Sequence, residues 1–298
     1  QRRERKAQIL DYKRDIQRER TELRAALTGL FGEPKPDKFG SGRGGGESVQ
    51  RWDWQGHAFL LAAPRDEYVS LRIVPAAVAD SGGRSRVPDS EMSARLAARV
   101  ERRANGDVVL ADMPMVSQGP KGYCVPATWE RVMRYMGVPA DMYVLAMEGD
   151  TGAGGGTSMD RLAAGAKTAV IGAGRRFGNP SVKLTAAGVA SFVDRGLPVM
   201  WTMFSTDDYN EAADSRAEAR RAMTDPKAWG DSLKAARAAA RKFREDKLSG
   251  HACLIIGYNK ATRELCVSDS WGPRFKERWV AEEEAQAVSG NGFYVIEL

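Results

Sequence analysis

Cysteine and histidine are scarce in this chain, three and two respectively among 298 residues. Cys124, Cys253 and Cys266 form no C-x-x-C pair and are too few for a disulfide framework. With His57 and His251 as the only imidazoles, a zinc site lacks its ligands and no metal is expected. Long apolar runs are absent too. None reaches the roughly 18 residues of a membrane-spanning helix, so no membrane span is expected. The Gly-rich stretch 149–156 lacks the G-K-[ST] ending of a phosphate loop and follows no strand pattern, so no cofactor is expected from it. Charge of one sign is weak: the net +6 is small for this length, and no basic stripe interleaves with aromatics. No specific nucleic-acid partner is expected.

What is present is ordinary globular material, 43% hydrophobic and 28% charged. The length suggests about two domains. The chain begins at Gln1 rather than Met, as expected of a mature or trimmed product left by a removed export signal or a cloning boundary. An exported location is therefore expected, with a cytoplasmic one left open.

Residues 1–31 read as one charged helix, with Ile9, Tyr12, Ile16, Leu23, Ala26 and Leu30 on a narrow stripe. That helix is expected to dock on the body of the protein or on a partner; a basic arm for nucleic acid is the weaker alternative. Residues 32–47 read as a linker in which Pro, Gly and charge rule out regular structure. Residues 48–110 read as a small domain. Strands at 49–54, 57–62 and 68–74 form a meander, and after a Gly/Ser/Arg-rich linker at 79–87 a helix capped by Ser90 runs to about Arg103. From residue 111 the pattern alternates helices near 126–136, 141–147, 158–169 and 185–195 with an apolar strand at 198–204. Residues 207–247 read as an inserted set of two or three amphipathic helices broken at Pro226, followed by strands at 251–258, 264–269, 276–280 and 292–297.

The chemistry gathers around Cys124. It opens a helical pattern, with Pro126 in the first turn where a missing N–H costs nothing. A thiol there feels the positive end of the helix dipole, which favours the thiolate, the form that attacks. Gln118 stands six residues earlier. Its side-chain NH₂ and the Cys124 N–H can converge on one oxygen of a tetrahedral intermediate. His251 begins one strand and Asp269 ends the next. A turn centred near residue 260 brings the two together although they are 18 positions apart. A carboxylate beside an imidazole fixes its tautomer and steadies the imidazolium. On that register Cys253 and Cys266 fall on opposite faces and are expected reduced and buried. His57 reads as structural, and Trp201 and Trp271 as core or cleft wall.

Four motifs together, Q-x5-C, C-x-P-A, the strand G-H-A-x-L-I-x-G-Y and Asp269-Ser-Trp-Gly272, resemble those of papain-like cysteine peptidases, with the bacterial C39-like branch the nearer match. The resemblance covers about residues 112–298. It departs at Val125, where the C39-like motif usually has Gly, and in the size of the 207–247 insertion. It implies an α+β papain-like fold over 111–298, a helical subdomain carrying the cysteine and an antiparallel sheet carrying the histidine. It further implies peptide-bond hydrolysis by a Cys124–His251–Asp269 triad with Gln118 as oxyanion donor, acting on a peptide or protein substrate. Residues 1–110 stand where papain-like zymogens have a pro-segment; the charged helix fits that and the meander does not. Two alternatives are a transglutaminase or amidase on the same triad, and a non-catalytic partner-binding module that keeps the fold.

Overall fold

The computed structural model describes residues 2–40, 46–83, 87–120, 122–151, 156–243 and 249–298, and side chains from residue 11. The chain divides into two compact units, Gln1–Ser85 and Arg86–Leu298. The division falls earlier than the end of the small domain read from composition.

In the first unit, α1 (Arg2–Phe31) is followed by four antiparallel strands in sequential order. These are β1 (Lys35–Phe39), β2 (Glu47–Trp54), β3 (His57–Ala62) and β4 (Ser70–Pro75), and α2 (Ala76–Asp80) closes the unit. The stripe on α1 is real but short. Ile16 and Leu27 are buried whereas Tyr12 and Leu30 are exposed; the Ile9 side chain lies outside the described residues. Leu27 packs with Trp52 and Leu61, so the helix covers one face of the sheet. The expected linker 32–47 is corrected: its middle is β1, paired with β2. Pro36 is tolerated there because β1 is an edge strand, where a missing N–H forfeits no ladder bond. Residues 41–45 and 84–86 of the two expected linkers lie outside the described residues.

The second unit begins with a further correction. The helix expected to reach Arg103 stops after α3 (Asp89–Ala98), and the chain turns into a hairpin of β5 (Val100–Arg102) and β6 (Val108–Leu110). Ser90 is not its cap either, since Pro88 holds that position without a side-chain bond. Helix propensity yields here to pairing, for β6 adds to the large sheet along β9 (Gly250–Asn259). Gly257 makes this possible: a Cβ there would stand 2.6 Å from the Val108 carbonyl oxygen.

Four helices of the helical half sit near their expected places: α4 (Cys124–Tyr135), α5 (Met142–Glu148), α6 (Met159–Gly172) and α7 (Ala186–Val193), with β7 (Arg176–Gly178) between the last two. Their starts obey capping chemistry. Asp141, Ser158 and Thr185 each accept a backbone N–H from their own first turn. Gly137, at φ 73°, ends α4. Residues 152–155 of the Gly-rich loop lie outside the described residues.

After β8 (Val199–Phe204) the described residues of the insertion form four short α-helices rather than two or three: α8 (Asp207–Ser215), α9 (Ala217–Arg221), α10 (Pro226–Ser232) and α11 (Lys234–Ala239). Residues 244–247 lie outside the described residues. Then come β9, β10 (Glu264–Ser268), β11 (Arg278–Ala281), α12 (Glu282–Ala287) and β12 (Ser289–Glu297). The sheet runs β11-β10-β9-β8-β12-β7, with β6 and β5 branching from β9, and every pairing is antiparallel. One core joins the helices to this sheet, including Trp129, Trp201, Leu254 and Val280. The result is an α+β, papain-like arrangement, with α4 laid against the central strands β8 and β9.

Candidate active site

Cys124 is the first residue of α4, and Tyr123 precedes it at the cap without a side-chain bond. The helix is anchored to the sheet just behind the thiol. Thr128 Oγ1 donates to the Ala252 carbonyl at 3.0 Å, and Arg131 donates to the Ser268 carbonyl at 3.0 Å and to the Pro114 carbonyl at 2.8 Å. A helix twelve residues long is thus pinned where β9 begins and β10 ends, the two places that hold His251 and Asp269.

The expected neighbours meet. His251 Nε2 and Asp269 Oδ1 are 3.0 Å apart. The route differs from a regular hairpin. Glu264 faces Asn259 and Cys266 faces Gly257, but a bulge between Cys266 and Val267 shifts the later pairs to Val267–Ile255 and Ser268–Leu254. Asp269 therefore lies beyond the ladder, its N–H bonded to the Phe275 carbonyl, and reaches His251 diagonally. Cys253 and Cys266 are free and buried. Cys253 lies in the field of Asp269, Arg278 and Arg131, whereas Cys266 lies in that of Glu277, Arg103 and Arg220, as opposite faces require.

Cys124, His251 and Asp269 form one charge-coupled row: His251 is bonded to Asp269, and the thiol and imidazole each shift the other's titration. Since Nε2 serves Asp269, Nδ1 is the ring nitrogen left for the thiol. Burial pushes the Cys124 thiol up, but the bond and charge of His251, with the N–H groups of Ala252 and Val125, outweigh it and hold the thiol below its ordinary value. Burial depresses His251, yet Asp269 and Cys124 lift it to about 9. Asp269 is fully buried, which raises its carboxyl; His251, Arg278 and Arg131 together bring it below the usual range. All three shifts act in one direction, toward a thiolate–imidazolium pair backed by a carboxylate.

Gln118 is half-buried, on a segment lashed to the strand end that carries Asp269. Its backbone N–H donates to the Ser270 carbonyl at 2.8 Å, and its side-chain oxygen accepts from the Ser270 hydroxyl at 2.8 Å. With that oxygen occupied, the amide NH₂ is the end left for another acceptor.

Two contributors, Ser270 and Arg278, escaped the sequence reading, and Trp271 was read only as core or cleft wall. Ser270 orients Gln118. Trp271, half-buried, stacks on the His251 ring, centroids 4.7 Å apart and planes 27° from parallel, so it borders the site rather than lying in the core. Arg278 pairs with Asp269. The D-S-W-G motif contained Ser270 and Trp271; their tasks depend on the turn after β10. Trp201 is core, its indole N–H bonded to Ser289 Oγ at 3.1 Å. His57 is exposed in the first unit, its Nδ1 3.1 Å from the Gln55 carbonyl. Among the described residues, no cluster of three or more His, Cys, Asp and Glu could hold a metal ion, and no helix is long and apolar enough to cross a membrane.

A family model described as the Peptidase_C39 like family matches residues 110–289. Among solved structures, the peptidase domain of Streptococcus ComA, a bi-functional ABC transporter involved in quorum sensing, is similar at 13% identity. That match covers 62% of this chain and 98% of that one, with a TM-score of 0.38. No curated protein matches.

Proposed function

The chain belongs to the Peptidase_C39 like family, and from that premise we propose that it is a cysteine peptidase whose triad is Cys124, His251 and Asp269, with Gln118 as oxyanion donor. The observation that carries the reading is His251 Nε2 bonded to the Asp269 carboxylate at 3.0 Å, with the Cys124 thiol and the imidazole in each other's field. A histidine so placed draws the thiol proton and keeps the resulting imidazolium in one orientation.

The Cys124 thiolate attacks the scissile carbonyl carbon, and the C=O electron pair moves onto oxygen. The Cys124 N–H, a free donor in the first turn of α4, and the Gln118 NH₂ stabilise that oxyanion. As the tetrahedral adduct collapses, the C–N bond breaks and His251 gives its Nδ1 proton to the leaving amine. Neutral His251 then takes a proton from water, which attacks the thioester; the acid leaves and the thiolate–imidazolium pair is restored. The reaction as written uses side chains, backbone and water alone. Trp271 shields the His251–Asp269 bond from competing water, which keeps the local dielectric low and the bond strong.

The substrate class rests on the family: an acyl group on nitrogen, hence a peptide or protein, is what a peptidase of this kind would take. The test is alkylation of Cys124 by iodoacetamide across pH. Enhanced reactivity at pH about 6–7, lost in His251→Ala, is the expected result; a thiol that reacts only above its ordinary pKa sinks the reading.

A further inference from the structure

One buried cation stands behind the triad without a part in the chemistry above. Arg278, in β11, is only 4% exposed. Its Nε lies 3.0 Å from Asp269 Oδ2, the oxygen opposite the one that serves His251. Oδ2 has no hydrogen-bond partner, so the ion pair with Arg278 is what that oxygen has. The two terminal nitrogens of the guanidinium point away, toward α8. Nη1 and Nη2 donate to Asn210 Oδ1 at 3.2 and 3.1 Å, and Nη1 reaches Asp214 Oδ1 at 3.2 Å. Asn210 is itself oriented, because its NH₂ donates to Ser205 Oγ at 3.0 Å and so turns its oxygen to Arg278. The guanidinium carbon sits 5.3 Å from the centre of the Trp271 ring that stacks on His251.

A planar cation gripped on one side by α8 and facing a carboxylate on the other is a clamp. A bare arginine at this depth would be a liability, since a buried charge costs several kcal/mol unless its partners are fixed. Here the partners come from two elements, and one of them, α8, belongs to the insertion. We propose that Arg278 is a positioning residue of the triad: it holds the Asp269 carboxylate in line with His251, and α8 of the insertion holds Arg278 through Asn210. This inference rests on the triad reading above and adds a role for the insertion, which becomes the outer wall of the catalytic machinery.

Other charged and titratable groups face the clamp. Arg131 from α4 shares the field of Asp269. Tyr209 from α8, its hydroxyl buried and without a bond, and Cys253 from β9 also lie in that field, both neutral at working pH because burial raises them. Arg274 stands 3.9 Å from the outer oxygen of Asp214. Arg278 alone among these cations is within ion-pair distance of Asp269.

The experiment reads the acid limb of Cys124 alkylation in the full chain. Loss of a cation beside a buried carboxyl makes it easier to protonate, and a protonated Asp269 no longer supports the imidazolium. Arg278→Met is expected to move the acid inflection upward by about one pH unit, and Arg278→Lys to leave it near the wild-type position. Asn210→Ala changes no charge; an upward shift of the same sign but smaller identifies positioning through α8. A merely structural arginine lowers the melting temperature in these variants while the inflection stays put, and that result overturns the proposal. Should Arg278→Met fail to fold, Asn210→Ala and Arg278→Lys decide: an unmoved inflection in Asn210→Ala overturns the proposal, and a shift in Asn210→Ala that Arg278→Lys does not show supports it. The two readings fail separately. A wild-type thiol without enhanced reactivity refutes the triad, whereas a reactive wild type with an unmoved acid limb in Asn210→Ala and Arg278→Met refutes only the clamp.

Discussion

Strands β9 and β10 carry a buried ionic network at each end, and the two networks are built to opposite purposes. At the hairpin end, Arg220 from α9 is 3% exposed and meets Asp107 at 2.6 Å and Glu264 at 2.8 Å. Asn259 donates to Asp107 at 2.7 Å, Trp229 donates to Glu264 at 3.1 Å, and the guanidinium lies 4.1 Å over the Trp279 ring. Two carboxylates and one arginine are saturated by hydrogen bonds, and nothing reactive is left. At the other end, His251 and Asp269 are as deeply buried, but the row ends in a thiol and an amide NH₂ whose capacity is unspent. Closing a charge network fixes the insertion onto the sheet; on the proposed reading, leaving one end open turns the same buried charge into reactivity.

Four measurements put that contrast to the test. The largest effect is expected at the open end. Cys124→Ala should lower peptide hydrolysis by at least about 10⁴-fold while leaving the circular dichroism spectrum unchanged; retained hydrolysis would remove Cys124 from the reaction. Next is the closed end. Arg220→Met strands Asp107 and Glu264 without their cation and should cost about 3–5 kcal/mol in urea unfolding, with the alkylation profile of the folded fraction unaltered. A loss confined to reactivity would mean that the two ends are not separate.

Third, Gln118→Ala should lower kcat/KM by a factor corresponding to about 2.7–4 kcal/mol, yet leave alkylation of Cys124 untouched, since that displacement develops no oxyanion. Equal losses in both assays would place Gln118 in thiol activation instead. The smallest effect concerns pH. His251 is raised from 6.5 to about 9, so its charged form contributes stability fully below 6.5, and the contribution is lost as pH rises through 9. Unfolding free energy should therefore decline across that window. The decline should be smaller and end at a lower pH in Cys124→Ala, where one of the two groups that lift His251 is gone.

Much of the open end was legible in the sequence, and little of the closed end. Cys124 and Gln118 announce themselves by local spacing, and His251 and Asp269 by hairpin arithmetic that tolerates a one-residue bulge, because a diagonal neighbour still falls within side-chain reach. Gly257, part of the strand motif, proved to be the place where β6 approaches too closely for a side chain. The arginines carried no such signal. Arg220 and Arg278 sit in runs where any exposed arginine would look the same, and two of the partners that fix them, Asp107 and Asn210, lie 113 and 68 positions away. The helix expected to reach Arg103 failed for the opposite reason: its local signal was strong, but the strand pairing that overrode it lies beyond residue 250. The first strand of the meander was hidden by its proline, which reads as a breaker and is harmless on an edge.

The bond between Gln118 and Ser270 spans 152 positions, and that distance sets a schedule. During synthesis the nucleophile emerges long before the residues that activate it. Until the last third of the chain has been made and has folded back, Cys124 is a helix-end thiol with no histidine to take its proton and no serine to turn Gln118. On the proposed reading, a chain that has not yet made β9 and β10 is therefore chemically quiet, and the capacity to cut arrives only once those strands have paired.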